Sequence, residues 1–577
     1  MKTYLKILSL LCLLGVTSCK QDFVEVTDPN SLSGENFPST MAHLDQMRNG
    51  LYGTQHAFGL FGHNMLGKNI YMWDHTADLA WQGTPTWIAM AQNNTLPNDE
   101  FLRDTWRDAW KGVQRANTLM AGIKKMRLTA TQPADLAGLD LMEGEAHFLR
   151  AWFYYYLVSF WGETFIVNGQ GGDRAGVPII TEVPNNLVSS QVGRATVREN
   201  WDFIIGDLKT AEALLAGKNW TGDQDKHRAG IWAIKGFLGK AYLFSEDLGN
   251  ARTYLKDVID NSGKRLVAFD EYKDMFNGKN EFNAESLFEV NVNVDKNTWG
   301  AWNDASMGSG VAMIISPFFT NAEGGSSASG WGNVFAHEKN LGRFGFNEPH
   351  YFKPGTSAVN PANVDPAYIA RSVQLRQNKA ADPRLWVSLL QPYADSMKVD
   401  DKKTPIAHYG DGVELTMQAW SLRKYVNLDG NEYSINVNNG SNFYWLRLAD
   451  VYLMYAETLL RAGDASGLEY VNKVKRRAYG YPVDAPSPVD YQSVSAQTMA
   501  GDPVLKNDPL KYERWAELFG EGSWWMDVCR WRIGDREAAY YQKVRGGAIQ
   551  WSDTDYAQPI PQAEREANAK IGQNPGY

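Results

Sequence analysis

Few residue constellations in this sequence could carry out covalent chemistry, and each is incomplete. His337-Glu338 begins like the His-Glu-x-x-His element that holds zinc in metalloproteases. Lys339, Asn340 and Leu341 follow, however, so the second imidazole is missing. Asp74 and Asp78 could be drawn as the acid and base of a glycosidase, but solvated turn residues explain two acids in a loop equally well. No complete P-loop, dinucleotide fingerprint or Gly-x-Ser-x-Gly elbow occurs. Loop carboxylates leave a structural calcium ion open, although no EF-hand spacing supports one. The chain therefore reads as a non-enzyme without a cofactor.

Binding chemistry is better represented. Trp81 and Trp87 stand in one irregular stretch, and Trp299, Trp302 and Trp331 in another. Flat indole faces suit the C–H face of a pyranose, which stacks on a π-system at little desolvation cost. Gln82, Asn297 and Asn303 lie close by in sequence and could serve hydroxyls. These five tryptophans are the expected ligand residues, and the competing reading is that they plug the core beneath long loops.

The chain has 577 residues with a net charge of -9, and no basic stripe interleaves with aromatics, so nucleic acid is not an expected partner. Its 21 Trp, 27 Tyr and 24 Phe argue against disorder. Lys2 and Lys6 precede an apolar run from Ile7 to Val16, then Thr17, Ser18 and Cys19. This is the layout of a secretory signal, too short to span a bilayer as a helix. A Cys directly after the small residues resembles a bacterial lipobox. Cleavage before Cys19 and acylation of its thiol and amine would give more than one buried chain, enough for stable anchoring. Cys12 leaves with the signal, so Cys529 is left alone and no disulfide is expected.

The elements that must position these residues are mostly helices. Apolar spacing predicts helices over about 40–53, 100–126, 135–161, 197–215 and 228–244, with a shorter one from Gly249. It predicts others over 444–462, 467–479 and 509–531. A short strand is expected at 286–294, little helical period over 278–391, and an extended tail in the last twenty or so residues. Small residues in Ala233–Gly236–Gly239–Ala241 and in Ala449–Ala456 mark close helix approaches of the tetratricopeptide kind. The fold class is mainly α: degenerate tetratricopeptide-like repeats broken by long irregular insertions. Glu145, Arg150, Arg447, Glu457, Arg514, Glu521 and Asp527 fall on helical motifs and are expected to pair as buried ions rather than to catalyse.

Several motifs, in order along the chain, resemble the SusD/RagB family. TWRDAWKGVQRAN (Thr105–Asn117) is similar to its Trp-x-x-x-Tyr-x-x-Ile-x-x-Ala-Asn element, with Trp110 in place of Tyr. GEAHFLRAWFYYYLVSFWG (Gly144–Gly162) and WLRLADVYLMYAETLLRAG (Trp445–Gly463) resemble two others, and VNKVKRRA follows the second. YERWAELFGEGSWWMDVCRW (Tyr512–Trp531) resembles the Glu-Arg-x-x-Glu-Leu element, with Trp524 where Arg is usual. The chain ends on the family-like Gln573-Asn574-Pro575-Gly576-Tyr577. The resemblance implies a surface-exposed, lipid-anchored outer-membrane protein. It implies capture of a nutrient, an oligosaccharide or polysaccharide first, for a SusC-like TonB-dependent transporter. Residues 1–18 would be the signal, 19–39 the anchor and tether, and 40–277 an N-terminal helical part. Residues 278–577 would form a C-terminal part with an irregular ligand-loop region at about 278–440. A secreted glycoside hydrolase and a peptide-binding or structural helical-repeat protein remain the rival readings.

Overall fold

In the computed structural model, the residues described are 37–62, 85–293, 310–320, 326–332, 334–348, 361–399, 401–407, 418–429, 440–541 and 548–577. Helices dominate, and they form the expected helical-repeat scaffold. The Met41–Gly53 helix starts at Thr40, whose hydroxyl accepts the His43 N–H at 3.2 Å. It packs on Glu100–Arg127, which is capped by Asp99 and ends in Lys124, Lys125 and Arg127, the sign that suits a helix C-terminus. Pro133–Trp161 lies between that helix and Val197–Leu214. Every residue from Phe148 to Trp161 is buried, so the C-terminal half of this central helix is enclosed on all sides. Ile231–Phe244 and Leu248–Asn261 continue the series onto Leu448–Arg461, Gly467–Ala478 and Pro509–Glu517.

The small residues act as their spacing implies. A Cβ at Gly239 would sit 2.6 Å from the Leu255 side chain, and one at Gly112 would sit 2.3 Å from the Phe153 ring. Only glycine allows these helices to approach so closely. Gly249 lies near the start of the helix that receives Gly239, as expected.

Four expectations are corrected. Phe443–Arg447 is a strand rather than the start of a helix. It pairs antiparallel with Ser286–Val290, setting Ser286 opposite Arg447 and Val290 opposite Phe443. All five residues of Phe443–Arg447 are buried, and strand pairing satisfies their backbone while both faces are covered. The helix begins only at Leu448, whose N–H donates to the Glu285 carbonyl at 2.9 Å. The expected 509–531 helix is two helices, Pro509–Glu517 and Trp524–Arg530. They are broken where Gly520 and Gly522 take φ of 76° and 75°, a left-handed backbone that glycine adopts without strain. The irregular stretches also contain regular pieces. Pro85–Ala91 and Pro366–Gln377 are helices, the second capped by Asp365 with Pro at its start. A small antiparallel sheet orders Ser326–Ala328, Phe318–Thr320, Lys402–Ala407 and Ser396–Val399. In the tail, Gln562–Ala567 is a short helix.

The expected buried ion pairs are present. Arg447 contacts Glu285 at 2.8 Å, Glu517 at 2.6 Å and Glu521 at 2.8 Å. Arg477 reaches Glu285 at 2.7 Å and also contacts Glu517, and Lys424 reaches Glu521 at 2.8 Å. A second network joins Arg514 to Asp450 and Asp527, both at 2.9 Å, and Arg530 to Asp527 and Glu457. Toward the N-terminus, Arg150 pairs with Asp207 at 2.7 Å and Arg228 with Glu145 at 2.7 Å. Burial alone would raise the Glu517 carboxyl, but Arg477, Arg447 and Arg384 outweigh it and hold it well below the usual carboxylate range.

At the end of the strand pair, Asn442 donates its backbone N–H to Glu281 and its side-chain N–H to Glu289, each at 2.8 Å. Burial, with the like charge of Glu289 adding to it, pushes Glu281 up to about 7.

Two outcomes follow from these pairs. Arg447→Met, which leaves three buried carboxylates short of a cation, is expected to lower unfolding free energy by about 3–5 kcal/mol. Urea denaturation measures this, and a change below about 1 kcal/mol would show that the network carries little. Because the folded-state pKa of Glu281 lies above its unfolded value, its ionisation opposes folding as pH rises through about 7. Glu281→Gln should therefore match the parent protein near pH 4, below the unfolded value, and exceed it by about 1–3 kcal/mol above pH 7. Parallel melting curves that stay superimposed across that range would refute the assignment.

Candidate functional site

The roots of the two aromatic-rich stretches meet. The Gly310 N–H donates to the Gly62 carbonyl at 2.8 Å, joining backbone that is remote in sequence. The first root is clamped to the Glu100–Arg127 helix. Asp108 accepts the Gly59 N–H at 2.8 Å, and the Thr105 hydroxyl donates to the Gly59 carbonyl at 2.8 Å. A Cβ at Gly59 would lie 2.1 Å from the Asp104 carbonyl oxygen, so only glycine fits there. Phe61 then packs 5.8 Å from Trp152 and 5.4 Å from Phe443, centroid to centroid, which seats this root on the central helix and the strand pair.

The second root leaves the same strand pair. Asn442 Oδ1 accepts the Val292 N–H at 2.8 Å and the Asn291 side-chain N–H at 3.2 Å. His56 lies beside the first root, and its burial lowers the imidazole to about 4, so it is neutral at physiological pH. After Gly310 the chain forms the short Val311–Ile315 helix. Trp331 docks on it, its backbone N–H donating to the Met313 carbonyl at 2.6 Å.

Of the sequence-derived ligand residues, Trp331 is half-buried and packs against the core. Trp87 belongs to the Pro85–Ala91 helix, and its side chain lies outside the described residues. Trp81, Trp299 and Trp302 lie outside them too, as do Gln82, Asn297, Asn303, Asp74, Asp78 and Cys19. The structure thus brings together the roots of both stretches and Trp331. Sequence reasoning did not single out Gly59, Gly62, Gly310 or Asn442, which make that convergence. Thr105 and Asp108 were visible only as members of a helical motif.

Other reactive-looking groups have structural roles. His337 caps the Glu338–Arg343 helix, accepting the Lys339 N–H at 3.1 Å, while Glu338 accepts the Gln418 N–H at 2.8 Å. Cys529 is a free, buried thiol whose pKa burial pushes up. Trp524, standing where the motif has Arg, is buried and donates its indole N–H to Glu537 at 3.1 Å. Among the described residues no cluster of three His, Cys, Asp or Glu could hold a metal ion. Among the same residues, no helix is long and apolar enough to cross a membrane.

Comparison with known proteins agrees with this architecture. The chain is 23% identical over 528 residues to the SusD-like protein P25 of Formosa agariphila, covering 89% of this chain and 87% of that one. A SusD-like protein from Bacteroides fragilis superposes with a TM-score of 0.71 at 19% identity, covering 94% of this chain and 99% of the other. Surface glycan-binding protein A from Bacteroides thetaiotaomicron, solved with laminarihexaose, superposes with a TM-score of 0.62 at 19% identity, covering 92% and 99%. A family model described as starch-binding associating with outer membrane matches residues 22–243. The SusD family model matches residues 284–577, which hold the strand Ser286–Val290, the Arg447 network and the C-terminal helices, and the chain accordingly belongs to the SusD family.

Proposed function

We propose that this protein binds a glycan on the face above the joined roots and passes it unaltered to a SusC-like TonB-dependent transporter in the outer membrane. The observation that carries this reading is the Gly310–Gly62 hydrogen bond, which joins described residues bordering the two tryptophan-bearing stretches. Trp81 and Trp87 would approach the sugar from the first stretch, and Trp299, Trp302 and Trp331 from the second. Indole faces take sugar C–H faces by burial and dispersion, while neighbouring amides order the hydroxyls. A glycan complex of a protein with this fold, the laminarihexaose complex, supports the ligand class. Cys19 would carry the acyl chains that hold the protein at the membrane surface, and the transporter supplies the passage that a surface binder lacks.

Isothermal titration with oligosaccharide panels tests the face. Loss of one platform ring, such as Trp331→Ala, should weaken binding roughly five- to a hundredfold with little dependence on salt. The variant's melting temperature is the control. Normal binding in Trp331→Ala and in each of the other four single variants would move the site elsewhere, and early melting would mark the ring as a core plug. Gentle detergent extraction followed by mass spectrometry tests delivery. The protein should copurify with a TonB-dependent barrel, and Cys19→Ala should lose fatty-acid labelling. A chain that is always isolated alone, or a labelled Cys19→Ala variant, contradicts the partner or the anchor respectively.

A further inference from the structure

A separate cavity of about 270 Å³ opens between the loop that precedes the Ile231–Phe244 helix and the Ser286–Val290 strand. Trp220, Trp232 and Leu287 supply apolar wall, and Lys264 lines the cavity beside them. Both indoles are half-buried. Trp220 is held rigidly: its Nε1–H donates to the Ala229 carbonyl at 3.0 Å, and the Arg228 guanidinium lies 3.8 Å from its ring centroid. Arg228 is itself fixed by two bonds to Glu145 of 2.7 and 2.8 Å.

Lys264 is the weakly partnered cation of this cavity. The residue is half-buried, and its one hydrogen bond among the described residues, to the Asn283 carbonyl, is long at 3.4 Å. Among the described residues it forms no ion pair. Burial lowers its pKa, and Glu289 offsets that only in part. Glu289, although it also lines the cavity, is a poor counter-ion. One of its oxygens accepts the Phe282 N–H at 2.7 Å and the other the Asn442 side-chain N–H at 2.8 Å. Burial also raises its pKa, which draws it toward the neutral form. A half-buried cation with no committed anion, in a cavity that two indole rings also line, favours a ligand that brings an anion on an apolar-faced ring.

We propose that this cavity is a second sugar site, selective for a pyranose bearing a carboxylate, with Lys264 pairing the carboxylate and the Trp220 and Trp232 walls covering the ring's C–H faces. A neutral hexose would leave the ammonium unpaired, so the acid group decides selectivity. The site shares no residue with the face of the proposed function.

Ligand-observed NMR and titration calorimetry on the full chain, with galacturonate and glucuronate against galactose and glucose, provide the test. The uronates should bind and the neutral sugars should bind at least about tenfold more weakly. Raising salt to about 0.5 M should weaken uronate binding severalfold. Lys264→Met and Trp232→Ala should each weaken it by about tenfold or more, with Lys264→Arg keeping most of it. Melting curves of all three variants exclude unfolding as the cause. Equal binding of neutral and acidic sugars, no uronate binding, or acetate and glutamate binding as tightly as uronates would overturn the proposal. Trp331→Ala separates the two sites. Uronate binding that survives it but not Lys264→Met supports this cavity. Loss in Trp331→Ala with retention in Lys264→Met overturns the cavity and leaves the glycan face standing.

Discussion

The guanidinium of Arg447 sits where a strand turns into a helix, and it reaches glutamates from three parts of the chain. Glu285 precedes the partner strand, Glu517 ends the Pro509–Glu517 helix, and Glu521 lies in the loop beyond it. Withdrawing each of these charges from water costs several kcal/mol, recovered only when the geometry of the whole set is good. The network is therefore a poor source of net stability but a strong selector of arrangement. A helix running unbroken through 518–523 would carry Glu521 onward along its axis, whereas the glycine-bearing break turns it back onto Arg447 and Lys424. A strand pair out of register would part Arg447 from Glu285.

From that anchor the rest follows outward. With Arg447 opposite Ser286, the strand pair ends with Phe443 opposite Val290. Asn442 and Asn291 come next, and their hydrogen bonds set the direction in which the second stretch departs. The first stretch reaches the same place by another route, through Gly59 clamped on Thr105 and Asp108 and through Phe61 against Phe443 and Trp152. The bond between Gly310 and Gly62 closes the arrangement. A buried charge cluster, a short strand pair and one backbone hydrogen bond thus join the roots of the two stretches to the helical scaffold.

The scaffold was legible in the sequence because helical periodicity is local. Leu44 and Leu51, or Trp106, Val113 and Ala116, mark their buried face through spacing alone. The charged motif residues were legible as ion pairs because burying them unpaired would be prohibitive, and Glu145, Arg150, Arg447, Glu457, Arg514, Glu521 and Asp527 are all paired. The candidate site was legible only as composition. Tryptophans among Gly, Pro and Asn suggested a platform, but nothing in their spacing separated Trp331, half-buried on a short helix, from Trp524, whose indole is fully engaged by Glu537 in the core.

By itself the sequence determined the helical-repeat class, the close approaches at glycine and the family. Tertiary structure alone decided that Phe443–Arg447 is a strand, that the chain breaks before Trp524, and that Gly62 meets Gly310. Each of these depends on a partner far along the chain: Ser286–Val290 for the strand, Arg447 and Lys424 for the break, the opposite root for the glycines. Local propensity reports the free energy of a segment in isolation, and strand pairing, ion networks and loop-root hydrogen bonds acquire theirs only when remote segments have been brought into contact.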